Sequence, residues 1–146
     1  MKRTMMKLKP SRARTRRGVA MLELALVLPI LLMLVLGIIE MGRVMMLNQV
    51  TTNACREACR RAIIPGMSHA KVLEIVNGYL DAGGVSDEGR VVSVLDAAGN
   101  ATTVESVLSH GEVTVEVQVP YAENTWGFTA IMGTKMLVSR STMRRE

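Results

Sequence analysis

Cysteine and histidine are the residue types here best suited to nucleophilic or metal chemistry, and the chain has two of each: Cys55, Cys59, His69 and His110. A cysteine nucleophile needs a base beside it, and a structural zinc needs a closed set of ligands. Neither histidine stands at a metal-type spacing from the cysteines, so the pattern supports neither a zinc site nor a Cys–His pair. Cys55 and Cys59 are four residues apart and would share one helix face, where their side chains are poorly oriented for the ~90° disulfide torsion. Packing beside Ala54 and Ala58 is their expected use. No phosphate loop, catalytic carboxylate pair or Ser-His-Asp set appears, so no enzyme activity, cofactor or metal is expected.

The remaining chemically placed residue is Glu23, the single charge between Val19 and Ile39. That apolar run, rising ~1.5 Å per residue as a helix, spans the ~30 Å hydrocarbon core of a bilayer. Before it lie Lys2, Arg3, Lys7, Lys9, Arg12, Arg14, Arg16 and Arg17, with no acid. Such a bias holds the N-terminus in the cytoplasm and sends the rest across.

The order is a basic run, Gly18, four apolar residues, Glu23, and then unbroken apolar sequence. It resembles the class III signal of type IV pilins and pseudopilins. With ALVLPILLMLVLGIIEMGR (25 to 43), TNACREACRRA (52 to 62) and the ending STMRRE, the chain resembles the TadE-like pseudopilins of tight-adherence (Flp) pilus systems. The resemblance is strongest over residues 16 to 62. It implies cleavage by a prepilin peptidase between Gly18 and Val19 and a role for Glu23 in subunit association. It also implies partnership with other pilin-like subunits and the pilus assembly machinery. Val19 stands where many type IV pilins have phenylalanine, and Leu24 where Flp major pilins have tyrosine; both point to a minor component. The expected location is the inner membrane, single-pass, with the C-terminal domain outside the cytoplasm. The rival is an uncleaved anchor carrying a binding module, with Trp126, Phe128, Ile131 and Met132 as an apolar patch. A secretory signal peptide fits poorly, because the apolar core is too long and no small-x-small site follows it.

The pI of 9.7 belongs to the leader. Eight of the 18 basic residues precede Gly18, and removing residues 1 to 18 leaves ten basic against 13 acidic side chains, formally −3. The leader cluster suits anionic lipid headgroups, and no basic stripe interleaved with aromatics remains for nucleic acid.

Three parts are expected: a leader (1–18), a transmembrane and extended helix (19–64) ended by Pro65-Gly66, and a small α+β domain (65–146). Val44, Leu47, Thr51, Ala54, Ala58 and Ala62 recur at three and four, forming a small-residue seam, and Glu57 is placed to pair with Arg60 or Arg61. Ser68 caps a second helix that ends at Gly83-Gly84, with Val72, Ile75, Val76, Tyr79 and Leu80 on one face. Strands are expected at 90–95, weakly at 102–108, at 112–119, and at 135–143. The clearest alternates Val113, Val115, Val117 and Val119 with polar residues and is ended by Pro120. Three or four antiparallel strands and two helices make a pilin-like α+β fold.

Overall fold

The computed structural model describes residues 12–107, 110–125 and 135–145, with side chains from Gly18 onward. Helix α1 runs Arg12–Ala62, α2 His69–Ala82, and strands β1, β2 and β3 run Val91–Leu95, Glu112–Pro120 and Met136–Arg144. The chain divides into two compact units that meet in sequence at Ile39 and Glu40.

In the first unit every residue from Gly18 to Ile39 is exposed, including Pro29 inside the helix. Leu26, Ile30, Met33 and Ile38 stand 65–70% open. Helix α1 contains a stretch long and apolar enough to cross a membrane. An all-round apolar surface of this length suits a single-pass anchor, since lipid covers every face.

The second unit is built on an antiparallel sheet of order β1-β2-β3. Val92 pairs with Val117, and Val117 with Ser139, which puts the odd-numbered β2 residues on one face. There Val113, Val115, Val117 and Val119 are fully buried, as the period-two pattern requires. Against them pack Leu47, Ala54, Cys55, Ala58, Cys59 and Ala62 of α1, and Val72, Val76 and Leu80 of α2. The small-residue seam is thus the face of α1 in the core of this unit. Glu57 pairs with both Arg60 and Arg61, at 2.9 and 2.8 Å.

Helix α2 begins and ends where its sequence signals stand. Ser68 accepts a hydrogen bond from the Lys71 amide, and Gly83 is the C-cap. Gly84 follows at φ +69°, and the Val85 amide returns to the Leu80 carbonyl at 3.0 Å, the closing bond of a Schellman motif. Gly83 is required for packing as well: a Cβ there would lie 2.4 Å from Val50 Cγ1.

Two expectations need correction. Residues 102–108 form no strand among the described residues; Val104–Ser106 is a 3-10 turn, and only Ala101 bridges to Leu95. The reason is local. Ser106 Oγ donates to the Thr103 carbonyl at 2.8 Å and accepts from the Thr103 amide, so short polar side chains take up groups a ladder would use. Pro120, expected beyond the strand, is its last paired residue, opposite Met136. Having no amide hydrogen, it is tolerated at a strand terminus. Trp126, Phe128, Ile131 and Met132 lie outside the described residues.

Candidate functional site

Gly18 and Val19 lie within α1, and both are exposed. Glu23 is exposed on the same helix, four positions beyond Val19. On an α-helix that spacing sets the carboxylate one turn, ~6 Å, along the axis from residue 19 and on its side. These three residues therefore share one short, open segment of helix.

The structure gathers a second group that spacing alone did not indicate. Glu40 and Arg43 are the only ionisable residues between Leu24 and Cys55, and both are half-buried on the side of α1 that meets the folded unit. The Glu40 carboxylate accepts hydrogen bonds from the Tyr121 phenol and the Thr125 hydroxyl, and Arg43 Nε donates to the Asn124 carbonyl. Tyr121 is the largest fully buried side chain among the described residues. Burial first, then the bond to Glu40, pushes its phenol above the ordinary value, so it remains a donor. Asn124 fastens the group to the rest of the unit. Its Oδ1 accepts from the Ser86 amide at 2.8 Å and its Nδ2 donates to the Pro120 carbonyl at 3.1 Å. A carboxylate and a guanidinium one helical turn apart are each taken up by the segment that follows β2.

Cys55 and Cys59 are free thiols within the core. Cys55 Sγ donates to the Ser139 carbonyl at 3.3 Å and Cys59 Sγ to the Ser141 carbonyl at 2.8 Å. Burial pushes the Cys55 thiol up to about 12 and raises Cys59 as well. Thiols held protonated are poor nucleophiles and poor metal ligands, which fits the packing role. His69 opens α2, its amide donating to the Glu105 carboxylate at 2.6 Å. His110 stands at φ +69° in the turn before β2. Among the described residues no three His, Cys, Asp or Glu side chains converge as a metal group would need. What the arrangement offers is surface and attachment: an apolar helix bearing one exposed acid, joined in sequence to a folded unit whose first residue, Glu40, is fastened by hydrogen bonds.

By architecture, then, this is a helix-led α+β protein with a single candidate membrane span among its described residues. Residues 18–60 match the model of a family described as TadE-like protein. The match falls within residues 16 to 62, where the resemblance was read, and takes in Gly18, Val19, Glu23, Glu40, Arg43 and both cysteines. No curated protein and no solved structure matches the chain. Glu40 and Arg43 were missed as a site because their partners lie 81 positions away, although their isolation in an apolar run was a usable signal.

Proposed function

We propose that this protein is a minor pseudopilin of a tight-adherence pilus, trimmed by a prepilin peptidase between Gly18 and Val19 and acting by association with related subunits. The observation that carries the reading is the family match over residues 18–60, which begins at the glycine itself. The exposed apolar surface from Leu24 to Ile39, uninterrupted by charge, supports insertion in the inner membrane, and the leader's eight positive charges support an N-terminus in the cytoplasm. Cleavage would create an α-amine at Val19 with a reference pKa of ~8. Glu23, one turn away, suits that amine or the amine of a neighbouring subunit. Because α1 begins at Arg12, the junction lies about two turns inside the helix, and a peptidase would have to open that turn to reach it.

The test reads the mature N-terminus in the native host. The expected sequence begins at Val19; retention of residues 2 to 18 with the peptidase present refutes processing and favours an uncleaved anchor. Glu23→Gln keeps the size and removes the charge. It is expected to insert and to be trimmed, yet to lose cross-linking to other pilin-like subunits. If the variant cross-links and pilates like the wild type, Glu23 has no part in association.

A further inference from the structure

Beyond Ile39 the two sides of α1 differ sharply. On the side meeting the folded unit stand Glu40, Arg43, Leu47 and Thr51, buried or half-buried. On the opposite side Met41, Met45 and Met46 are 58%, 60% and 53% exposed. The next outward residues, Asn48, Gln49 and Asn53, are polar and exposed, and Arg56 is the first outward charge. The apolar stripe therefore runs past the membrane-length stretch and then stops.

We infer that Met41, Met45 and Met46 seat the start of the folded unit in the bilayer interface, with lipid as the occupant of this face. The inference rests on the single-pass reading of the preceding run. Met46 lies seven residues beyond Ile39, ~10 Å of helix. The headgroup layer on each side of the hydrocarbon core is about 5–8 Å deep. Helical side chains lean toward the helix N-terminus, so the three thioethers point back toward the hydrocarbon and close most of that difference. The first outward polar residue, Asn48, is nine positions beyond Ile39, ~13 Å of helix, and so stands outside the layer.

Charge agrees with this placement. An unpartnered Glu40 or Arg43 at this depth would resist immersion, but both point away from the methionines and are hydrogen-bonded by Tyr121, Thr125 and Asn124. The uncharged side of the helix is thereby free to enter the interface while the charged side stays covered by protein. A partner helix is the competing occupant, since Gly42 lies among the methionines with open space where a Cβ would be. The depth at which the stripe ends favours lipid.

The test places nitroxide labels on single cysteines introduced at Leu31, Met45 and Arg56 of the full chain in lipid vesicles. The native thiols, being buried, stay unlabelled. Collisional broadening by oxygen reports lipid, and broadening by a water-soluble nickel chelate reports solvent. At Met45 the expected result is oxygen access with loss of the nickel effect seen at Arg56, at a depth shallower than Leu31. Nickel access at Met45 equal to that at Arg56 overturns the inference, as does shielding from both reagents, which would mean a protein partner. Nickel access at Leu31 would instead overturn the membrane reading on which it rests. A label at Met41 repeats the measurement should Met45 prove intolerant of substitution.

Discussion

Thr51, Cys55 and Cys59 show how one spacing on a helix can serve a neighbouring strand. Residues four apart on α1 rise ~6.0 Å, and carbonyls two apart on β3 are ~6.8 Å apart, so the cysteines meet Ser139 and Ser141 in register. Thr51 Oγ1 lies 2.8 Å from Ser139 Oγ and extends the same row. The raised thiols make stability depend on pH. Below the unfolded value of about 9.0 both states keep the proton, and the contribution is fully present. From there to about 12 the unfolded chain loses its Cys55 proton while the folded chain holds it. Stability therefore falls with rising pH, by up to ~1.4 kcal/mol per pH unit for each thiol still protonated in the fold. Other groups titrate in this range, so the comparison is with Cys55→Ala/Cys59→Ala. Denaturant midpoints of both chains, taken near pH 8 and near pH 10, should show any advantage of the native chain shrinking. An unchanged difference would mean the thiols are not held protonated. Helical spacing made the shared face of the cysteines legible, but the carbonyls they meet belong to a strand more than 80 positions away.

The last strand is fastened by the residue just beyond it. Arg145 donates from its backbone to Gly111 at 2.8 Å, and its guanidinium donates to the Val104 and Val107 carbonyls, both at 2.9 Å. One side chain thereby satisfies the end of the 3-10 turn that occupies the expected weak strand. Arg145→Ala should lower stability by about 2 kcal/mol, the scale of losing charged hydrogen bonds to part-buried carbonyls. The measurement is a shift in urea midpoint at constant slope. Arg145→Lys, with a point charge in place of a fork, should recover only part of it. A midpoint unmoved by alanine would mean that water replaces the guanidinium without loss. Most elements were legible because each carries a local signal: β2 its alternation, α2 its cap and paired glycines, the outer half of α1 its lack of breakers between Gly42 and Pro65. The segment 102–108 was misread because Val104 and Val107 resemble half a strand, whereas the side chains of Thr103 and Ser106 decide the backbone.

For the whole molecule, the strongest information is the order of charge along the chain, and it marks the candidate membrane stretch without reference to the fold. The fastening of Glu40 and Arg43 was not legible in the same way, because no period or composition encodes a contact across 81 positions. Charge order also yields a prediction about orientation. Eight basic residues precede the apolar run, while Arg43, Arg56, Arg60 and Arg61 are the first four that follow it. Only those within about 15–20 residues of the span weigh strongly, so Arg60 and Arg61 count least and the excess on the N-terminal side is large. Replacing Lys2, Arg3, Lys7, Lys9, Arg12 and Arg14 with glutamine leaves Arg16 and Arg17 and removes that excess. A reporter active only outside the cytoplasm, fused after Glu146, should be fully active on the native chain. On the substituted chain it should lose a large part of its activity, with a matching gain for a reporter active only inside. Opposed changes in the two reporters identify reorientation, whereas a parallel fall in both would indicate lower expression. If the substituted chain keeps the native ratio, the leader's charge does not set the orientation, and the folding of the unit beyond Ile39 is the remaining candidate for what does.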